Sequence, residues 1–556
     1  MTETATAARR VGPEDPAAFA ATARDSLRVG VWTAVSRVTG FVRVVVVAAV
    51  LGPTFLGNTY QFTNSLPNLV YYGLLGGALV SSLLVPALVR QVGSGEVSAA
   101  GRIAGGFLGV ALAASAVAIP VALVVIPRLL QATLSEGSPG VARAQLHAAT
   151  WLLVLVMPQA ACYAVVATSA AVMNAHGRFA LAAAAPALEN AGTLAVMAAA
   201  AFLYGTRQEV TGVPTGMLLL LGGGTTAAVA LHALVQWCGA RRAGTTVRPR
   251  AGWRDDEVRS VVRQGAIALL QAGLWSLQLL VLSTLANRVR GGVVAVQIAM
   301  NFFFLPVAVG AAPVAIALQP RLARLHQAGR DRDQADAFLR GVALTMFVTV
   351  PAAAAYLVLA PGLADLVALG RMSGHGGSAL VAVSLRAVAV GLAGTAVFTV
   401  ATYACYARGD IRRPVRLMAV QTVVALSIMG VSGLLHGTAA LGALGTGLSA
   451  ASVLGAILLV RSLRASLPAS STRLRQFLPR LLVSTAAMAV AAWSVLQVAG
   501  LAWPGRRGSV LGTLAAVVLG GVVYVCVQRG LHAPEINWLR GRTSDADDAA
   551  VVVGAP

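Results

Sequence analysis

Apolar runs of about twenty residues, each closed by a short polar or glycine-containing break, recur along the chain from residue 29 to residue 528. An α-helix rising about 1.5 Å per residue needs a run of that length to cross a bilayer. The runs lie at 29–51, 66–89, 103–126, 149–173, 179–203, 215–237, 261–286, 293–319, 338–360, 379–405, 414–435, 441–460, 477–499 and 509–528. They predict an all-α polytopic membrane protein with about 14 transmembrane helices and both termini on one side. Residues 1–28 are polar and mixed in charge and predict an unstructured tail, and residues 529–556 form a second tail.

Two places suggest that the pattern is duplicated. Gly76-Gly77-Ala78 through Pro86-Ala87-Leu88-Val89-Arg90 aligns with Gly310-Ala311-Ala312 through Pro320-Arg321-Leu322-Ala323-Arg324 at an offset of 234. Ala175-His176-Gly177-Arg178 aligns with Ala407-Arg408-Gly409-Asp410 at an offset of 232. Six spans separate the members of each pair, so the repeat is parallel. It predicts an N-terminal lobe at 29–237, an interlobe loop at 238–260, a second lobe at 261–460 and two appended spans within 477–528.

Composition agrees with a membrane protein: 57% of residues are hydrophobic and only 11% charged, with 58 glycines that let helices approach closely. The net charge of +22 comes entirely from arginine, because the chain has no lysine. A nucleic-acid-binding protein would gather that charge on one solvated face. Here the arginines punctuate apolar runs from end to end, so no nucleic-acid partner is expected. With the N-terminus in the cytoplasm, 27 of the 42 arginines fall on cytoplasmic tails and loops and eight on the opposite loops. That bias places both termini inside. Cys162, Cys238, Cys405 and Cys526 lie singly in or beside apolar runs and read as packing residues.

Ionisable residues within spans are costly, and they mark where a substrate could be handled. Arg37 and Arg43 stand in the first span, in Ser36-Arg37-Val38-Thr39-Gly40-Phe41-Val42-Arg43. Ser36, Gly40 and Arg43 share one helical face, small and polar with a cation deeper in the membrane, which suits a cavity that receives an anion. The alternative is that both arginines snorkel to the cytoplasmic interface, and this weighs more for Arg37 than for Arg43. Between the first two spans, Gly57 to Asn68 is uncharged yet crowded with amides and hydroxyls, including Asn58 and Asn68. It reads either as backbone unwound or kinked at a cavity mouth or as an external loop. Arg386, Glu189 and Asn301, the last just before Phe302-Phe303-Phe304-Leu305-Pro306, complete the candidates; for the two charges, a structural pair or an interfacial side chain is the competing reading. The seven histidines read as single residues at span ends or in loops, and no metal, nucleotide or hydrolase motif is present, so neither a cofactor nor an enzymatic activity is expected.

The chain resembles the MurJ (MviN) lipid II flippases of the multidrug/oligosaccharidyl-lipid/polysaccharide exporter superfamily. The resemblance is carried by Ser36 to Arg43, Leu66-Pro67-Asn68, Met173-Asn174-Ala175 with Gly177-Arg178-Phe179 and Ala185-Pro186, Leu305-Pro306, and Ala407-Arg408-Gly409-Asp410-Ile411 with Pro414. It runs from about residue 26 to residue 531. It implies two lobes around a cationic cavity and alternating access. It also implies movement of a polyprenyl-diphosphate-linked glycan, lipid II, to the outer leaflet of the bacterial cytoplasmic membrane during cell wall synthesis, by a chain taken to be a monomer. Arginine forks suit the diphosphate while the lipid tail stays in the bilayer. The chain departs from the family pattern at Val44, Asn58-Thr59, Tyr71-Tyr72, Gly76-Gly77 and Met300-Asn301, where charged residues are usual. Those departures keep a second expectation open, an exporter of the same fold for another lipid-linked glycan or amphiphilic metabolite.

Overall fold

The computed structural model describes residues 16–71, 73, 83–134, 138–374, 376–468 and 474–535. Among them every regular element is a helix. The N-terminal lobe comprises α1 (Pro16–Leu51), α2 (Phe55–Val70), α3 (Val85–Gly93), α4 (Val97–Thr133), α5 (Pro139–Val156), α6 (Gln159–Ala175), α7 (Phe179–Ala184), α8 (Pro186–Tyr204) and α9 (Thr215–Arg242). The second lobe comprises α10 (Asp256–Ala286), α11 (Gly292–Gly310), α12 (Ala312–Gln327), α13 (Asp331–Val367), α14 (Gly377–Ala389), α15 (Leu392–Ala407), α16 (Arg412–Gly430) and α17 (Gly437–Ala465). The last two helices, α18 (Leu474–Ala502) and α19 (Arg506–Gly530), pair with each other and pack on α13.

Among the described residues, twelve helices or continuous helix pairs are long and apolar enough to cross a membrane, and α14 with α15, bent by 42°, makes a thirteenth. These coincide with thirteen of the predicted spans. The other, 66–89, includes residues outside those described, as do Tyr72 and the Gly76-Gly77-Ala78 stretch. Residues 1–15 and 536–556 also lie outside them, but the remainder of the predicted N-terminal tail is helical from Pro16. A proline in the first turn and the alanines at 17, 18, 20, 21 and 23 favour helix there, which a reading on polarity alone overlooks. Outward faces carry exposed apolar side chains such as Val117, Phe202, Val423 and Leu482, the surface a lipid solvent requires.

The duplication is visible in the helices. Helices α4 and α13 are each 37 residues long, and they begin and end 234 residues apart. Each is preceded by the same turn, with Gly95 at φ +81° and Gly329 at φ +67°. In both turns the next amide reaches back five residues, Glu96 N to Gln91 O at 2.9 Å and Arg330 N to Leu325 O at 2.9 Å. The second pair behaves alike: Gly177 and Gly409 sit at φ +70° and +73°, followed by Arg178 N to Met173 O at 2.8 Å and Asp410 N to Cys405 O at 3.0 Å. These are helix-ending turns that need a left-handed residue, which glycine adopts without strain.

Prolines inside helices leave the carbonyl four residues earlier without its backbone donor. In three such places, and at Pro186 in the break between α7 and α8, a side chain from another helix supplies one. Tyr356 Oη donates to Phe302 O before Pro306 at 2.9 Å, and Tyr524 Oη to Phe347 O before Pro351 at 2.7 Å. Arg386 Nε donates to Leu357 O before Pro361 at 3.2 Å, and Gln236 Nε2 to Ala182 O before Pro186 at 3.4 Å.

The lobes meet through ion pairs at the end of the bundle where α1 finishes. There Glu209 of the N-terminal lobe pairs with Arg290 and Arg371 of the other, both at 2.8 Å. Arg371 also donates to Gln208 O at 2.9 Å, and its side chain covers Gly52, whose φ is +68°. At the opposite end, the segment joining the lobes lies as a strap along α4. Arg250 N donates to Gly105 O at 2.9 Å, Trp237 Nε1 to Val247 O at 3.1 Å, and Arg102 pairs with Asp255. Side chains larger than glycine at 105 and 109 would run into the strap backbone.

Candidate functional site

The polar face of α1 is set against α8 by a single amide. Asn190 Nδ2 donates to Ser36 O at 3.2 Å and to Thr39 Oγ1 at 3.1 Å, and it lies close over Gly40. That register brings the neighbouring Glu189 to Arg43, one turn further along α1, with Nη1 to Oε1 at 3.4 Å. Two further groups hold the carboxylate. Tyr163 Oη on α6 donates to Oε1 at 3.0 Å, and His232 Nδ1 on α9 lies 3.0 Å from Oε2. Glu189 is 8% exposed and His232 3%, while the Arg43 side chain remains 25% exposed. A buried carboxylate needs such a set of partners, and the arginine keeps one side open.

The open side faces a cavity of about 730 Å³ that runs from Arg43 toward the α6–α7 turn, at the end of the bundle where α1 begins. Among the described residues its charged lining is Arg37, Arg43 and Glu189, joined by His232, Tyr71, Asn68 and Asn301. A smaller space of about 160 Å³ continues it between the lobes, sharing Arg43, Asn68 and Tyr163 and bounded across the interface by α10 and α11. The larger cavity is thus mainly a property of the N-terminal lobe. Its floor is cationic, its walls are small or aromatic, and the rings of Tyr71 and Tyr163 lie tilted against each other with centroids 6.0 Å apart.

Of the residues singled out by sequence, Arg37, Arg43, Asn68 and Asn301 come together around this space. Asn58 does not. It is fully buried, with Nδ2 donating to Val289 O at 2.7 Å and Oδ1 accepting from Val293 N at 3.0 Å, so its amide fastens α2 to the turn before α11. The segment around it is neither unwound nor a loop but helix α2. Its polar side chains bond within the helix, as Thr59 to Phe55 O and Thr63 to Thr59 O at 2.8 Å, and this allows their burial. Arg386 lies on the exposed outer side of α14 and serves the carbonyl freed by Pro361. His232 corrects the reading of the histidines as span-end or loop residues, because it lies buried inside α9. Its signal in the sequence was a lone histidine in the span after the one that carries a lone glutamate. Tyr163 had no signal of its own.

The MurJ lipid II flippase family model matches residues 47–504. A probable lipid II flippase MurJ of Rhizobium meliloti (strain 1021) is 25% identical over 522 residues, covering 92% of this chain and 94% of that protein. One from Haemophilus influenzae is 27% identical over 478 residues, covering 83% and 90%. In fold, the chain superposes on a lipid II flippase MurJ in an inward closed conformation with a TM-score of 0.69 at 14% identity, over 90% of this chain and 99% of the other. An inward-facing multidrug resistance MATE family transporter gives a TM-score of 0.61 at 15% identity, over 78% and 94%. The chain is therefore a multi-pass membrane protein that belongs to the MurJ lipid II flippase family.

Proposed function

We propose that this protein carries lipid II, an undecaprenyl-diphosphate-linked disaccharide-pentapeptide, from the inner to the outer leaflet of the bacterial cytoplasmic membrane by alternating access, with both termini in the cytoplasm. One observation carries the reading. Arg43 is held at the bottom of a cavity with a free side toward it, and Arg37 stands two turns nearer the end where α1 begins. Two guanidinium forks spaced along one helix suit a diphosphate, which offers more than one pair of acceptor oxygens. By the arginine bias that end is cytoplasmic, where such a precursor would enter. The far end, held by Glu209 with Arg290 and Arg371, would be the closed exit.

The test is complementation of a flippase-depleted strain. Growth with normal lipid II turnover is expected, and continued accumulation of lipid II in the inner leaflet would overturn the reading. A second cargo, another lipid-linked glycan or an amphiphilic metabolite moved by the same cycle, is favoured by Tyr71 and Asn301, which line the cavity where the family pattern has charges. Failure to complement, together with loss of efflux of that compound in Arg43→Ala, would select it.

A further inference from the structure

Arg43 is not held ready and empty-handed: in this state its partner is Glu189, and the carboxylate is gripped from behind by Tyr163 and His232. The Arg43–Glu189 separation of 3.4 Å is the longest of the three contacts, and Arg43 is the most exposed member. A buried carboxylate left by its arginine would ordinarily be an uncompensated charge. Here it would keep one hydroxyl and one imidazole. The fold does not need the ions for packing. At the offset of 232 the second lobe has Gln421 in place of Glu189, and with the ends of α1 and α10 aligned, Leu51 on Ala286 at an offset of 235, it has Gln278 in place of Arg43. That junction closes with neutral groups, Gln278 Nε2 to Thr422 Oγ1 at 2.9 Å and Gln421 Nε2 to Ser452 Oγ at 3.4 Å.

We propose that Glu189 is an internal counter-anion for Arg43, displaced from it when the anionic headgroup of the cargo arrives, with His232 and Tyr163 keeping the carboxylate in place for Arg43 to return to when the cargo leaves. Glu189 is then a positioning residue that sets how tightly the cavity holds a diphosphate and how readily it lets go. The proposal rests on the reading of the cargo as a lipid-linked diphosphate.

The test uses the full chain in detergent or nanodiscs and measures binding of farnesyl diphosphate, with farnesol as the uncharged control. Glu189→Gln removes the competing charge and is expected to tighten binding at least about tenfold, since a unit charge at that distance outweighs a factor of ten in a medium between protein and water. His232→Phe loosens the grip on the carboxylate, leaves it dependent on Arg43, and is expected to weaken binding several-fold. In a Glu189→Gln background the same His232→Phe change is expected to have no effect, because its action runs through the carboxylate. A merely structural cluster would lose affinity with either change. Weaker or unchanged binding in Glu189→Gln, or an equal His232→Phe effect in both backgrounds, overturns the proposal. Should Glu189→Gln fail to fold, Glu189→Asp withdraws the carboxylate from Arg43, and tighter binding is again required. Wild-type protein that binds farnesyl diphosphate no better than farnesol overturns the diphosphate reading and this proposal with it. Normal wild-type binding without a gain in Glu189→Gln overturns the counter-anion alone.

Discussion

In the N-terminal lobe, α1, α8 and α9 meet through Arg43, Glu189 and His232; in the second lobe their counterparts α10, α16 and α17 meet through Gln278, the Gln421-Thr422 pair and Ser452. The corresponding helices are in contact in both lobes, yet one junction is ionic and the other neutral. The neutral one is also less completely bonded, because Gln278 Oε1 and Gln421 Oε1 are both buried without a partner. An amide oxygen tolerates that at modest cost, whereas a carboxylate in the same place would not. The comparison separates two uses of polarity inside a membrane bundle. The C-lobe amides tie helices together, while the N-lobe ions border a cavity and leave one cation partly uncovered. Charge at this junction accompanies the cavity: the ionic version borders one, and the neutral version does not line it.

The largest expected effect tests that contrast directly. Glu189→Leu leaves Arg43 and His232 without their acceptor and should cost roughly 3–5 kcal/mol, the range for breaking a buried ion pair. Gln421→Leu removes one long hydrogen bond and an unpartnered oxygen and should cost about 1 kcal/mol or less. Denaturant or thermal unfolding of the purified chain reads both, and equal costs would erase the distinction.

Transport should divide the same way. Arg43→Ala is expected to lower flux or complementation at least about tenfold, the loss for one charge-assisted contact to a phosphate group. Gln278→Ala, at the corresponding position and outside the cavity lining, should stay within about twofold of wild type, because it removes only neutral hydrogen bonds, to Thr422 and Met418. A parallel loss in both would assign Arg43 a packing role.

The two ends of the bundle offer a finer contrast. The Glu209 side chain is half-exposed, so screening by water keeps each of its pairs with Arg290 and Arg371 to about 0.2–1 kcal/mol. Glu209→Ala should raise thiol labelling of a Ser283→Cys probe, which lines the inner space, only a few-fold. Labelling that does not change would remove Glu209 from the closure of that end.

At the strap end the smallest effect depends on pH. Burial raises the Asp255 pKa, but hydrogen bonds from Arg102 and from the backbone amides of Val258 and Glu257 outweigh it and hold the carboxyl below its ordinary value. Burial, with help from Arg178, likewise lowers His176, whose imidazole contacts Thr245 at 2.8 Å. A depressed folded pKa contributes stability that is present above the unfolded value and is lost as pH falls through the folded one. Acidification below the histidine range, and again below the carboxylate range, should therefore speed amide hydrogen exchange in residues 245–254. Exchange that slows with acid, after correction for intrinsic rates, contradicts this.

Much of the architecture could be read along the chain because bilayer thickness imposes its own period: a helix that must hide its backbone needs about twenty apolar residues, and the sequence displays that length directly. The duplication could be read for a similar reason, since Gly177 and Gly409 are required wherever the same left-handed turn recurs. Arg37 and Arg43 stood out as charges out of place. Arg386 stood out for the same reason and Asn58 as an amide in an uncharged polar segment; both proved to serve backbone groups, Asn58 at the lobe interface and Arg386 at the carbonyl that Pro361 leaves without a donor.

What belonged to the tertiary structure alone was partnership. Arg43, Tyr163, Glu189 and His232 lie on four helices and are separated by up to 146 residues in the paired contacts they make, so no local spacing relates them. Sequence determined that the chain crosses a membrane many times, that its plan repeats, and that α1 carries two arginines within its apolar run. Packing decided which of those cations faces a cavity, which carboxylate waits beside it, and which polar residues hold the helices together. The physical reason is that hydrophobic length is a property of a segment, whereas the compensation of a buried charge is a property of whatever surrounds it.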